Sequence, residues 1–240
     1  MVDTTRAESA DAPNDALAVD NGPRRSAVAP DIAKPFRALL RRLSWPGDAN
    51  GNAALASTIG VTSCRAREGV TTCAAQLALV AAETRQGDVL LVDASGSATA
   101  LHELFGGHAQ PGLTDVLADL GGLDEAIQRT PFENLDLLPI GSRPRRRGGG
   151  DSTEPAVELT RRLTNDYALV VVDLPPAGER SRALRLSGIL DGVLLVIAAE
   201  EVQFEMARRT IEMLRKCDAH VLGAILNKRR RDVPRWVKAS

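Results

Sequence analysis

Aromatic residues are nearly missing: Phe, Trp and Tyr make up 3% of the 240 residues, and there is one tyrosine. A core without them is filled by Val, Leu, Ile and Ala, as is common where parallel strands are covered by helices on both faces. Cysteine is scarce too. Cys64, Cys73 and Cys217 show no Cys-x-x-Cys spacing, and an odd count excludes a fully paired disulfide framework. A reduced, cytoplasmic compartment is expected. The three histidines have no cysteine or carboxylate neighbours at metal-ligand spacing. Long apolar runs are also lacking. The longest, "GVLLVIAA" (192–199), is far too short to span a bilayer, and the N-terminus offers acids instead of an apolar signal segment. Nor is there an excess of one charge. The formal net charge is -1, which argues against bulk attraction to nucleic acid.

What is present is alternation. Residues 1–30 are rich in Ala, Asp, Pro and Asn, carry no apolar period and read as a disordered leader. Residues 31–52 hold a short amphipathic helix, with Phe36, Leu39, Leu40 and Leu43 at helical spacing, and then a "SWPGDANGN" breaker. From residue 53 to 228 six short Val/Leu/Ile-rich runs are expected as buried strands: "STIGVTS", "DVLLVDA", "LDLLPI", "ALVVVDLPP", "GVLLVIAA" and "HVLGAILN". Helices are expected between them at 71–85, near 99–105, in pieces within 114–129, then at 154–165, 181–189 and 203–216. Strand and helix alternation of this kind predicts a three-layer α/β fold with a doubly wound, mostly parallel sheet. The segment 141–153, "GSRPRRRGGGDST", reads as a flexible loop, and 229–240 as a basic tail.

In an open parallel sheet, ligands bind beyond the carboxyl ends of the strands. Three candidate groups fall there. After the first strand, "RAREGVTT" (65–72) forms a glycine-bearing turn into a helix, where backbone N–H groups and the positive helix end suit phosphate. Gly69, Thr71 and Thr72 are its phosphate-binding candidates, and the Thr71 hydroxyl sits where magnesium is usually held. Asp93 ends "VLLVD" and Asp173 ends "VVVD". Carboxylates at strand ends are placed to hold a hydrated magnesium ion or to orient a water. Taken together, in this order, they predict a P-loop NTPase-like architecture.

The stretches "IGVTSCRAREGVTTCAAQLALVAAETRQGDVLLVDA", "PGLTDVL", "NLDLLPIG" and "YALVVVDLPP" resemble the cytoplasmic domain of the bacterial tyrosine kinases of exopolysaccharide synthesis. Those kinases belong, with partition and septum-site ATPases, to the deviant-Walker P-loop group. The resemblance covers about residues 32 to 229. It implies ATP or ADP with magnesium at Thr71, Asp93 and Asp173, and Asn227 of "GAILNK" facing the base. It also implies a membrane-embedded chain-length-determinant or polysaccharide-export partner, and hence a place at the inner face of the cell membrane.

Several of the family's groups are replaced. Its loop reads roughly Pro-Gly-Glu-Gly-Lys-Thr-Thr, whereas here Arg67 stands for the first glycine and Val70 for the lysine. Loss of that lysine removes the point charge that reaches the β- and γ-phosphates. Arg65 and Arg67 are the cations close enough in sequence to stand in for it. The second strand ends Asp93-Ala94-Ser95 in place of Asp-Ala-Asp, and Ser181-Arg182-Ala183 replaces Ser-Asp-Ala. The tail has no tyrosine cluster, and Tyr167 leads into a core strand. Of the ring-forming Glu-x-x-Arg-x-x-Arg motif, matched by Lys34, Arg37 and Leu40, only Arg37 is kept. The reading is therefore a degenerate, catalytically silent family member that acts as a regulatory or binding partner. The alternatives are an active ATPase or tyrosine kinase using Arg65 or Arg67, and a membrane-surface positioning ATPase using Trp236 and the basic tail.

Overall fold

The structure is a computed structural model, and it describes residues 28–43, 57–84, 87–96, 101–118, 122–142, 153–177 and 182–229. The leader up to residue 27, Ser181, the basic run 143–150 and the tail from 230, with Trp236, lie outside the described residues.

Seven strands form one sheet: β1 (Thr58–Ser63), β2 (Val89–Asp93), β3 (Gln128–Arg129), β4 (Leu135–Leu138), β5 (Leu169–Asp173), β6 (Gly192–Ala198) and β7 (Val221–Asn227). Their order across the sheet is β3-β4-β2-β5-β1-β6-β7. Every pairing is parallel except β3 with β4. The four central strands β1, β2, β4 and β5 are buried at every position, which explains why they read as continuous apolar runs and not as alternations.

Eight helices complete the described chain: α1 (Pro30–Arg42), α2 (Val70–Thr84), α3 (Leu101–Leu104), α4 (Leu113–Leu117), α5 (Leu123–Ala126), α6 (Glu154–Asp166), α7 (Arg182–Ser187) and α8 (Phe204–Lys216). The layers follow from burial. Helix α2 is apolar nearly all round, with Cys73 through Ala82 buried, because it is sandwiched between the sheet and α1. Helix α1 lays Ala33, Phe36 and Leu40 into the same cluster as Leu77, Val171 and Val196. On the opposite face, Leu159 and Leu163 of α6 pack with Leu90, Val170 and Val172. Ala207 and Leu214 of α8 cover Val193 and Leu195 there. A helix of mixed polarity has one apolar stripe; one buried on all sides has none.

Two local devices fix the ends of the sheet. Asp191 Oδ2 accepts the N–H groups of Ser57 and Thr58 at 2.8 and 2.9 Å, and Thr58 Oγ1 accepts the Asp191 N–H at 2.8 Å. This locks the start of β1 to the start of β6. At the other side, "PGLTD" docks on the end of β4. Leu113 and Thr114 donate backbone N–H groups to Pro139 and Ile140 carbonyls, and Asp115 Oδ2 accepts from Gly112 and Ser142 N–H at 2.9 and 3.0 Å. Gly112 is required here, since a Cβ would lie 2.4 Å from the Pro139 carbonyl oxygen.

Candidate functional site

The candidate phosphate loop, residues 64–69, joins β1 to α2 at the carboxyl edge of the sheet. Two of its residues are left-handed: Arg67 at φ 67° and Gly69 at φ 91°. Glycine adopts this conformation freely and arginine does not. Gly69 has a second reason to lack a side chain. A Cβ there would stand 2.2 Å from Asn227 Nδ2.

The loop is held by its surroundings. Glu68 folds its side chain inward, where it is 2% exposed. Its Oε1 accepts the Arg65 N–H at 2.8 Å, while Oε2 is buried without a hydrogen-bond partner. Burial raises its pKa, with the N–H groups of Arg65, Ala198 and Cys64 opposing. Ser63 Oγ donates to the Arg65 carbonyl at 2.6 Å. Asn227, at the end of β7, donates Nδ2–H to the Glu68 carbonyl at 2.9 Å. In this arrangement its carboxamide is a strut of the loop.

The two cations expected near the phosphates take other positions. Arg65 Nη2 donates to the Glu201 carbonyl at 2.6 Å, and its Nε lies 4.0 Å from Glu68 Oε1. Arg67 is exposed. Val70 is half-buried and packs against the cluster of α1 and α2. The first residue of the helix thus presents an aliphatic side chain where a lysine would present an ammonium.

Beside the loop, β2 and β5 lie in register with Asp93 opposite Asp173. Both are buried, at 2% and 0% exposure. Thr71 Oγ1 donates to Asp173 Oδ2 at 2.9 Å. Ser95 Oγ reaches the same oxygen at 2.9 Å and Asp93 Oδ1 at 3.2 Å. The N–H groups of Ser95 and Gly96 also point at Asp93 Oδ1, at 3.0 and 3.1 Å. Asp173 Oδ1 is buried with no hydrogen-bond partner. Desolvation by burial raises the Asp173 pKa to about 7; the Thr71 hydroxyl opposes this and the Asp93 charge adds to it. Burial raises Asp93 as well, against the N–H groups of Gly96 and Ser95.

This set has the chemistry of a hard-cation site. Two carboxylates and two hydroxyls are oxygen donors of the kind magnesium takes, and the bare Asp173 Oδ1 is a ligand in waiting. Thr71, Asp93 and Asp173 would hold the ion or its waters. Among the described residues no group of three or more His, Cys, Asp or Glu gathers as a metal site, so the hydroxyls are integral to it. The structure brings together Gly69, Thr71, Asp93, Asp173 and Asn227. Thr72 lies on the first turn of α2 and is exposed.

Sequence reasoning missed two participants. Ser95 counts as a lost carboxylate in a linear reading, yet it joins both remaining ones. Glu68 was not singled out. The signal for Ser95 was available: a hydroxyl residue two positions after a strand-end aspartate is a usual turn partner.

A glycine-bearing loop between a central strand and a buried helix, flanked by strand-end carboxylates, defines a P-loop-type nucleotide hydrolase fold. The solved structures agree. The kinase domain of the Escherichia coli tyrosine kinase ETK superposes with a TM-score of 0.70 at 25% identity, covering 82% of this chain and 77% of that one. The septum-site-determining protein MinD of Pyrococcus horikoshii, complexed with Mg-ADP, gives a TM-score of 0.61 at 27% identity over 75% and 74%. Among curated proteins, the tyrosine-protein kinase YwqD of Bacillus subtilis is 33% identical over 71% of each chain. The putative tyrosine-protein kinase EpsB of Ralstonia solanacearum is 31% identical over 58% of this chain, which spans 18% of that longer protein. No protein-family model matches the chain. The chain belongs to the bacterial tyrosine-protein kinase family.

Proposed function

We propose that this chain is a catalytically silent member of the family, acting as a binding and regulatory partner in polysaccharide synthesis and export. The observation that carries this reading is Val70. It packs against the core cluster at the position of the catalytic cation, while Arg65 is drawn off to the Glu201 carbonyl. Phosphoryl transfer rests almost wholly on positioning and charge stabilisation. With an aliphatic residue at that position and Arg65 engaged elsewhere, the loop lacks the larger part of that stabilisation.

The carboxylate and hydroxyl set supports retained binding of magnesium with ATP or ADP. The role is then nucleotide sensing without turnover. Tyr167, the single tyrosine, supports the absence of a phosphoacceptor, because its hydroxyl donates to buried Asp136 at 2.9 Å. Leu40 of the former ring motif is 6% exposed, and Arg37 pairs with Glu83 of the same chain at 3.2 Å. These engagements argue for assembly by another route than the family ring. Among the described residues no helix is long and apolar enough to cross a membrane; in this reading, membrane placement comes through a chain-length-determinant or export protein.

Titration calorimetry with Mg-ATP and Mg-ADP, alongside transfer of labelled γ-phosphate to a tyrosine peptide, tests the reading on this protein and on Val70→Lys. Binding without transfer in the native chain, and tighter binding in Val70→Lys, are expected. Transfer of label by the native chain would sink the proposal. Its loss on Arg65→Ala or Arg67→Ala would identify the substitute cation.

A further inference from the structure

The two edges of the sheet are built differently. One ends in β3, a two-residue antiparallel strand, which leaves little edge to pair with. Among the described residues the other ends in β7, seven residues long and free of charge and proline: "VLGAILN". Natural sheets protect such an edge with lysine, proline or a short strand, and within β7 none of these is present. Leu226 on this strand is 59% exposed, and a Cβ at Gly223 would meet nothing within 4 Å.

Helix α8 adds a second feature to the same edge. It connects β6 to β7 and buries Ala207, Thr210 and Leu214 toward the sheet. With the right-handed crossover of parallel β-α-β units, the flank carrying Phe204, Arg208 and Arg215 faces outward beyond β7, while Ile211 beside it packs against the cluster under α8. Phe204 is 78% exposed there.

We propose that β7 and α8 form a twofold interface with a second copy of this chain, joining two sheets edge to edge. Three observations select a second copy over another occupant. The strand is uncharged, so antiparallel pairing with itself meets no repulsion. A helix seated between β6 and β7 lies half a strand spacing inside the edge. Across the twofold the two α8 axes then stand two spacings apart, about 9.6 Å from strand spacings of about 4.8 Å. That falls within the interaxial distance of packed helices, about 8–10 Å. Antiparallel alignment also makes the flank complementary to itself. Phe204 meets the guanidinium of Arg215 from the other copy, a cation–π arrangement. Arg208, which already pairs with Glu205 and Glu212 in its own helix, comes beside the other copy's Glu212. The carboxyl edge with the phosphate loop stays uncovered.

Sedimentation velocity over a dilution series of the full chain, with hydrogen exchange of the β7 amides, tests this. A dimer that dissociates on dilution is expected, with β7 protection that falls in parallel. Leu226→Lys should give a monomer with unchanged circular dichroism, because the side chain is exposed. Val157→Lys, an exposed site on α6, should leave the dimer intact. Arg208→Glu should weaken the dimer, and Arg208→Glu with Glu212→Arg should restore it. A monomer at every concentration overturns the proposal. So does a dimer indifferent to Leu226→Lys. Concentration-independent protection of β7 in a monomer would overturn it as well, and would assign the edge to this chain's own residues beyond 229.

Discussion

Ser95 Oγ lies 2.9 Å from Asp173 Oδ2 and so ties the ends of β2 and β5 together through a side chain. It carries one proton and serves the nearer oxygen; Asp93 Oδ1, 3.2 Å away, is served by backbone N–H groups. Removing the hydroxyl leaves Asp173 Oδ2 to the Thr71 hydroxyl. Ser95→Ala is therefore expected to cost about 1.5–3 kcal/mol of stability, the range for a hydrogen bond to a charged group. It should also push the Asp173 carboxyl further up. Urea denaturation at neutral pH and an NMR titration of the Asp173 carboxyl check the two effects.

The Asp173 carboxyl gives the ligand-free protein a pH dependence of unusual sign. Its folded pKa is about 7, raised first by burial. The native state therefore binds more protons than the unfolded state between the ordinary aspartate value and about 7, and stability falls as pH rises through that window. Asp173→Asn keeps an acceptor for Thr71 and Ser95 and removes the charge. It should stabilise the apo protein at pH 7.5, on the order of 2 kcal/mol, and flatten the slope. Thermal melts of both proteins from pH 5 to 8 would show it. Parallel slopes in the two proteins would refute the assignment to Asp173.

Arg67 at φ 67° sits in a conformation that costs a side chain about 1–2 kcal/mol. Glycine avoids that cost and loses part of the gain to unfolded-chain entropy. Arg67→Gly is expected to stabilise the fold by up to about 1 kcal/mol. If Arg67 is the substitute phosphate cation, the same change weakens nucleotide binding, so calorimetry on this variant separates backbone strain from charge.

Gly69→Ala should act in the other direction. The new Cβ meets Asn227 Nδ2 at 2.2 Å in a backbone conformation of φ 91°. Strain together with the lost Asn227–Glu68 bond predicts a cost of about 2–3 kcal/mol. Asn227→Ala removes the bond without the strain and should cost less. Denaturation midpoints of the two variants would rank them.

Much of the architecture was legible because the central strands are buried on both faces. Burial forces continuous Val/Leu/Ile runs such as "VLLVD" and "LVVVD", and these read as strands without any periodicity. All six strands so marked are present. Strand β3 was not legible: two residues, Gln128 and Arg129, carry no pattern, and their pairing is decided by β4. Within the site, chain order located Thr71, Asp93 and Asp173. Where side chains point was another matter. Arg65 turns to the Glu201 carbonyl, 136 positions away, and Asn227 turns to Glu68 because β6 and β7 end beside the loop. Contacts of that separation belong to the topology, and no local window contains them.

The strut from Asn227 to the Glu68 carbonyl spans 159 positions. The loop begins in the first third of the chain, but a side chain of the seventh strand fastens it. During synthesis, then, residues 64–69 emerge from the ribosome long before their fastening does. A nascent chain stopped short of β7 would carry the sheet's central strands and an unfinished loop. The loop thus gains its fastening only once β7 has been made, after every other strand of the sheet.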